Sequence, residues 1–265
     1  MNISQQITNE KIPNLRDLGG MEGADGKHIR SGLLLRSEQL YNASAKDVAL
    51  LEALPLRKIV DFRNPKEAAE KPDPMIHGSE YLHLSIIDDS TLLSWEKDKS
   101  EQGRRELTAA QNDPEAGAKG MCELYRNFVR MPYSRAQYTC FLKALLETDG
   151  AVLWHCTLGK DRCSWGTALV QTVLGVSRDA IMADYLYTNE CLKDEIAGMM
   201  EMLRKLSSKT NLAGAGKAMV EAREEYLLSA WDEAEKQYGS MDAFLEQGLG
   251  VSADMRNQMC AKYLE

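Results

Sequence analysis

Apolar residues in this chain follow two patterns: short continuous runs, and stretches with helical spacing. A short apolar run, typical of a buried β-strand, covers residues 150–154, and strands are also predicted over 57–63 and 81–86. Helical spacing or helix-start signals predict helices over 45–54, 65–70, 114–130, 134–147 and 167–174. Predicted helices therefore alternate with predicted strands as far as residue 174.

The two ends of the chain have different patterns. Residues 1–11 are polar and are expected to fray, and an Asp25-Gly26 turn signal predicts a small hairpin within 15–34. Towards the C-terminus, long helices are predicted over 189–205 and 217–237, followed by two short helices within 241–265. The polar residues 90–112, which include Trp95, predict an excursion from the core.

Composition narrows the possible functions. The 265 residues include 32 basic and 40 acidic side chains, and the net charge of −8 argues against nucleic-acid binding. The six cysteines show neither metal-ligand spacing nor a disulfide framework, so we expect reduced thiols in a cytoplasm. No apolar run approaches the ~18 residues of a membrane span, and no export signal is visible, although secretion by another route stays open.

The stretch that carries chemistry is the loop from Cys156 to Arg162, between a predicted strand and a predicted helix. Such a loop directs backbone N–H groups and the positive end of a helix dipole at one spot, which favours phosphate or sulfate. A cysteine there ionises readily, and its thiolate can attack phosphorus. Arg162 can bind two phosphate oxygens through its planar guanidinium. The pattern predicts a phosphate-binding loop with Cys156 as nucleophile.

The motif His-Cys-x-x-Gly-Lys-Asp-Arg at 155–162 resembles the signature loop of the cysteine-dependent protein tyrosine phosphatases. Its Lys-Asp pair is similar to the bacterial branch typified by mycobacterial protein tyrosine phosphatase B, whose members act on phosphotyrosine, sometimes on phosphoserine or phosphothreonine, and on phosphoinositides. Other segments resemble that family in its own order: 12–20, 32–37, 60–63 with Glu67, Asp184-Tyr185 with Asn189, and 238–240. The resemblance spans nearly the whole chain.

The resemblance implies an α/β fold, with a central, mostly parallel sheet flanked by helices. One phosphatase domain would cover residues 1–265, with a core of about 12–188 and a helical, lid-like region of about 189–265. The implied activity is hydrolysis of a phosphoprotein or a phosphoinositide through a cysteinyl-phosphate intermediate, without metal or cofactor. The oligomeric state stays open.

The resemblance also assigns roles to residues. Cys156 would be the nucleophile, Arg162 would bind the phosphate, and Asp161 would be the general acid that protonates the leaving oxygen. The residues implied to bind substrate are Thr157, Leu158, Gly159, Lys160 and Cys163, and Lys160 could select polyanionic head groups. The residues implied to support the loop are His155, Arg16, Asp17, Arg36, Ser37 and Asp61.

The general acid has alternatives. Asp88 and Asp89 follow the predicted strand 81–86, and a strand that ends in acidic residues often borders a site in an open α/β sheet. Asp61 is a third candidate, which we expect to be structural through Arg16 or Arg63. Sequence alone does not establish which carboxyl lies within hydrogen-bond distance of the leaving oxygen.

Cys163 departs from the family pattern, because it stands where members have Thr or Ser. In the family that hydroxyl helps the nucleophile to leave, and a thiol is a weaker donor, so breakdown of the intermediate is predicted to be slow. A thiol near Cys156 could also form a reversible, protective disulfide. Two other interpretations stay open: a catalytically weakened phosphate-binding pseudophosphatase, and a sulfur-transfer or arsenate-reducing thiol protein.

Overall fold

A computed structural model describes residues 3–88, 114–206 and 217–265. Their strands are β1 Gln5–Gln6, β2 Arg16–Asp17, β3 Leu34–Ser37, β4 Leu56–Asp61, β5 Glu80–His83 and β6 Ala151–His155. They form a six-stranded sheet in the order β1-β2-β3-β6-β4-β5. The four strands from β3 to β5 in this order are parallel, and β1 and β2 extend the sheet antiparallel. The expected α/β fold with a mostly parallel sheet is confirmed.

Helices join and cover these strands. They are α1 Ala45–Ala53, α2 Pro65–Glu70, α3 Pro114–Arg130, α4 Pro132–Glu147, α5 Arg162–Val173, α6 Arg178–Cys191, α7 Lys193–Leu206, α8 Glu224–Tyr238 and α9 Ala253–Tyr263. Between α8 and α9, a turn at Met241–Ala243 continues into a π-helical turn at Phe244–Gly248. Helices α1 and α2 begin where the sequence predicts because Ser44 and Asn64 form capping boxes.

The sheet separates two cores of unequal size, because successive side chains of a strand point to opposite faces. Val152 and Trp154 of β6 face the larger core, together with apolar residues of α3, α4, α5 and α8. Ala151 and Leu153 of the same strand face the smaller core, which α1 covers. Burial on both faces explains why β6 is a continuous apolar run in the sequence.

The N-terminus is more ordered than predicted. Ser4 is buried, and its backbone N–H donates to Asp184 at 3.0 Å, while β1 pairs with β2. The expectation that residues 1–11 fray is therefore wrong for residues 4–6, because a buried carboxylate and a strand edge bind their polar groups. The hairpin predicted within 15–34 is confirmed by an antiparallel bridge between Glu22 and His28 around the turn Ala24–Gly26.

The C-terminal helices belong largely to the core. Tyr226, Leu227, Ala230 and Trp231 of α8 are buried in the larger core, as are residues of α9. A lid stays a prediction for the part of 189–265 that precedes α8. The excursion predicted at 90–112, with Trp95, lies outside the described residues. Among the helices described, none has both the length and the apolar character needed to cross a membrane.

The topology brings several polar residues to one edge of the sheet. In the parallel register, Ser37 of β3 and Asp61 of β4 are both partners of His155, the last residue of β6. Cys156 follows directly. The loop between β6 and α5 therefore starts at the carboxyl edge of the parallel strands, where ligands bind in open α/β sheets.

Candidate active site

The loop from Cys156 to Arg162 joins the end of β6 to the start of α5. Cys156 is only 2% exposed, at the base of the loop. Within the described chain, no acceptor receives a hydrogen bond from the backbone N–H groups of residues 157–164. Unpaired N–H groups at a helix N-terminus bind anions. The loop thus offers the donors that a phosphate dianion needs, next to a thiol.

Two side chains, Asn14 from the segment before β2 and Arg36 from β3, hold the loop carbonyls. Asn14 Nδ2 donates to the carbonyl oxygens of Leu158 at 3.3 Å and Gly159 at 3.1 Å. Arg36, fully buried on β3, donates to the carbonyl of Gly159 and, at 2.8 Å, to Ser164 Oγ. Because these partners bind the carbonyls of Leu158 and Gly159, the peptides of this turn are fixed in orientation.

Gly159 is required by the tight turn of the loop. Its φ is +66°, and a Cβ there would lie 2.3 Å from the carbonyl oxygen of Ser37. Any larger residue would meet both a strained backbone and a backbone clash. The contact places the end of β3 directly against the loop, as predicted for Ser37.

Arg162 is held in a fixed orientation by Glu67, which lies in α2. Its two terminal nitrogens lie 2.6 and 3.0 Å from the two carboxylate oxygens of Glu67. Thr157 Oγ1 donates to Glu67 at 2.7 Å and accepts from Arg162 at 3.1 Å. Burial opposes ionisation of Glu67, but the Arg162 hydrogen bonds and charge outweigh it and lower the pKa of Glu67 to about 2. The two residues form a fixed ion pair with the guanidinium beside the loop.

Asp161 lies next to Arg162, and its side chain is 22% exposed. The hydroxyl of the buried Tyr125 donates to Asp161 Oδ1 at 3.1 Å, and the ammonium of Lys160 lies 3.3 Å from the same oxygen. Both of these described contacts are to Oδ1. The structure therefore places a partly exposed carboxyl at the loop, as a general acid requires.

Lys160 is fully buried, unlike most lysines. Its ammonium donates to the backbone carbonyls of Met219 at 2.5 Å and Glu221 at 3.2 Å, and it lies 5.7 Å from the centre of the Tyr226 ring. In this arrangement the ammonium binds protein carbonyls and Asp161, which differs from the sequence-based prediction that it meets substrate.

Cys163 is also fully buried, in the first turn of α5. Its thiol donates to the carbonyl of Trp154 at 3.6 Å, and burial raises its pKa to about 12. Both Cys156 and Cys163 are free thiols. A role for Cys163 in substrate binding stays a prediction, as does the disulfide with Cys156.

The ring of His155 lies close to two buried carboxylates, those of Asp73 and Asp61. Its Nε2 lies 3.0 Å from Asp73 Oδ2, and its Nδ1 lies 3.8 Å from Asp61 Oδ1. Burial lowers the pKa of His155, but Asp73 and Asp61 raise it by a larger amount. The pKa of His155 therefore lies above its ordinary value. Asp61 accepts from Arg63, as predicted for a structural aspartate, and from Tyr81.

These charges also form a potential metal site. Donor atoms of Asp61, Asp73 and His155 lie within 4.8 Å of one another. The buried guanidinium of Arg63, however, lies 2.6 Å from Asp61 and 2.8 Å from Asp73. Because this guanidinium already pairs with both carboxylates, the cluster fits a buried charge network better than a divalent metal.

Other predicted site residues lie further from the loop. Arg16 donates to Asp184 at 3.1 Å and to Thr188 at 3.0 Å, so it binds α6 rather than the loop. Asp17 accepts from the backbone of Gly19 and Gly32 and stabilises the hairpin. Their supporting role is therefore indirect.

Of the two alternative general acids, Asp88 and Asp89, the structure describes only Asp88. Asp88 lies beyond β5 at the end of a described range, and Asp89 lies outside the described residues.

Sequence reasoning missed the roles of Glu67, Asn14, Tyr125 and Tyr138. Glu67 and Asn14 lie in segments that resemble the family, and that resemblance was the signal in the sequence that could have indicated their roles. Tyr138 donates to the carbonyl of Arg162 at 2.9 Å, and it and Tyr125 are fully buried. On helices α3 and α4, these tyrosines cannot be told from packing residues by their spacing.

Comparison with known proteins relates this chain to protein phosphatases. The model of the tyrosine phosphatase family matches residues 7–265. A Cupriavidus necator protein named as a tyrosine-protein phosphatase is 30% identical over 260 residues, which covers 95% of this chain and 87% of that protein. The triple specificity protein phosphatase PtpB of Mycobacterium tuberculosis is 28% identical, over 93% of this chain and 94% of that protein. A tyrosine-protein phosphatase of Nostoc commune is 24% identical over 63% of this chain.

Proposed function

Because the chain belongs to the tyrosine phosphatase family, we propose that it hydrolyses phosphomonoesters with Cys156 as the nucleophile. The observation that supports this assignment is the loop 156–162, which combines a thiol, N–H groups that have no partner within the described chain, and a guanidinium fixed by Glu67. Arg162 binds the phosphate oxygens, and Asp161 is the general acid. Activity in the family depends on such an arrangement, since phosphoryl transfer needs positioning and charge stabilisation.

The reaction has two steps. In the first, the Cys156 thiolate forms a bond to phosphorus while the bond to the leaving oxygen breaks, and that oxygen takes the proton of Asp161. In the second, water attacks the cysteinyl phosphate, Asp161 takes a proton from the water, and the thiolate leaves with the electrons of the S–P bond. Arg162 and the loop N–H groups stabilise the equatorial oxygens in both steps.

The proposed substrate is a phosphotyrosine protein. Cys156 is almost completely buried, so the phosphate must reach down a recess, which favours the long arm of tyrosine over that of serine. The Mycobacterium tuberculosis relative is named a triple specificity phosphatase. We propose that this chain, too, acts on more than phosphotyrosine alone. Phosphoinositides are less favoured, because the ammonium of Lys160 is bound to protein carbonyls.

We place the protein in a cytoplasm, which the free state of all six cysteines supports. Neither a metal nor a cofactor is part of the proposed mechanism, because the loop itself provides the nucleophile, the cation and the acid.

Phosphate release from p-nitrophenyl phosphate, phosphotyrosine and phosphoserine peptides, and phosphoinositides tests this proposal. Wild type should turn over phosphotyrosine best without added metal, and Cys156→Ser should bind phosphate but release none. If wild type binds these substrates without turnover, the chain is a pseudophosphatase. Cys163→Ser, which replaces the thiol with the hydroxyl that the family has there, would then be the first variant to test for recovered turnover.

A further inference from the structure

A segment near the C-terminus, far from the loop in sequence, binds the ammonium of Lys160, which lies next to the proposed general acid Asp161. This clamp segment, residues 217–223, precedes α8. Lys160 donates to its carbonyl oxygens at Met219 and Glu221, at 2.5 and 3.2 Å. A buried ammonium needs acceptors to offset the loss of water. The clamp segment therefore fixes where the Lys160 charge lies.

Two helices hold the clamp segment in turn. Asn189 of α6 exchanges two hydrogen bonds of 2.8 Å with the backbone of Ala222. Tyr226 of α8 donates at 2.6 Å to the carbonyl of Ala218. Asn189 has no contact with the loop 156–162 among those described, so its effect on the loop must pass through the clamp segment.

One carboxylate oxygen of Asp161 meets both a hydrogen-bond donor and a positive charge. The Tyr125 hydroxyl lies 3.1 Å from Oδ1, and Lys160 Nζ lies 3.3 Å from the same atom. The Tyr185 hydroxyl is 3.1 Å from that of Tyr125, so Tyr185 can donate to Tyr125 while Tyr125 donates to Asp161. Because the Tyr125 hydrogen bond and the Lys160 charge both meet Oδ1, a protonated Asp161 carries its proton on Oδ2.

We propose that Tyr125, and the clamp segment acting through Lys160, position Asp161 so that Oδ2 presents its proton to the leaving oxygen. The inference rests on the proposed function, since it takes Asp161 as the general acid. It makes Tyr125, Lys160 and Asn189 positioning residues, and it assigns Lys160 to the acid rather than to a polyanionic head group.

The test is kcat/KM over a series of aryl phosphates from p-nitrophenyl phosphate to phenyl phosphate. Protonation matters most for the most basic leaving phenol, and kcat/KM includes departure of that phenol but not hydrolysis of the intermediate. Tyr125→Phe and Asn189→Ala should each lose at least about 10-fold more activity on phenyl phosphate than on p-nitrophenyl phosphate. Asp161→Asn should show the steepest dependence.

Tyr263→Phe is the matched control for a lost buried hydroxyl. Tyr263 is fully buried and donates at 2.6 Å to the carbonyl of Leu145, away from the loop. Its loss should lower stability and leave the leaving-group dependence unchanged. Lys160→Met should reproduce the dependence of Tyr125→Phe. A loss confined to phosphoinositides in Lys160→Met would instead assign Lys160 to head groups and overturn the role of the clamp segment.

The outcomes separate this inference from the proposed function. Equal losses along the whole series in Tyr125→Phe and Asn189→Ala, with wild type active, would overturn the inference and leave the proposed function standing. Absence of wild-type turnover on every substrate would overturn both. If Tyr125→Phe does not fold, Asn189→Ala decides alone, because Asn189 makes no described contact with the loop.

Discussion

Glu67 fixes the orientation of the guanidinium of Arg162, the group that we propose binds the phosphate. The pair is bidentate, with Thr157 bonded to both residues, so the plane of the guanidinium is fixed before substrate arrives. A fixed donor does not have to reorganise as charge develops on the phosphoryl oxygens. An arginine without such a partner would sample many rotamers, and ordering it would oppose binding.

Replacement of Glu67 tests this role. Glu67→Gln keeps one acceptor but loses the charge and the second bond, so we expect kcat/KM to fall by about 10- to 100-fold. Steady-state kinetics on p-nitrophenyl phosphate measures the loss, with Lys66→Gln as an exposed control in the same helix. Unchanged kcat/KM in Glu67→Gln would show that the loop alone orients Arg162.

Glu38 follows β3 and is a buried acid with an unusual titration. Burial is the largest cause, and Glu195 adds to it, so that despite the charge of Lys71 its pKa rises from 4.5 to about 8. A raised pKa means that the folded state holds the proton more tightly than the unfolded state. The stability that this proton contributes is complete below pH 4.5 and is lost as pH rises through about 8.

Glu38→Gln removes that titration. The stability of the variant relative to wild type should therefore increase from pH 5 to pH 9, because only wild type must ionise a buried carboxyl. Thermal unfolding at several pH values measures it, with Glu80→Gln as the control on an exposed glutamate. A difference between variant and wild type that does not change with pH would contradict the assigned pKa.

At the scale of elements, α6 is attached to the sheet by a buried ion pair. Arg16 of β2 and Asp184 of α6 are almost fully buried and lie 3.1 Å apart, and Ser4 and Gln171 also donate to Asp184. Burial opposes ionisation of Asp184, but Arg16 and Arg36 outweigh it and lower its pKa. These contacts hold α6, and with it Asn189, against β2 of the sheet.

Asp184→Ala leaves Arg16 with a buried, unpaired charge. We expect a loss of about 3 to 5 kcal/mol in the free energy of unfolding. Asp242→Ala, which breaks an exposed pair with Arg256, should cost no more than about 1 kcal/mol. Urea denaturation measures both. A small loss for Asp184→Ala would mean that α6 is attached chiefly by its apolar face.

Local sequence signals predicted most elements of the whole molecule. Apolar runs and capping residues located β4, β6, α1 and α2, because their causes lie within a few residues. The fraying predicted for the N-terminus was wrong, because Ser4 is bound by Asp184, a partner far away in the sequence. The same limit applies to the site: the loop was visible as a motif, but no local pattern shows that Tyr125 or the carbonyl of Met219 would meet it.

Detection of the covalent intermediate tests the account most directly. Wild-type protein mixed with p-nitrophenyl phosphate and quenched in acid within milliseconds should carry one phosphoryl group, which peptide mass spectrometry should locate on Cys156. Cys163→Ser should accumulate less of it if the hydroxyl speeds hydrolysis. Turnover without a phosphoryl group on Cys156, or with one on another residue, would contradict the assignment of the nucleophile.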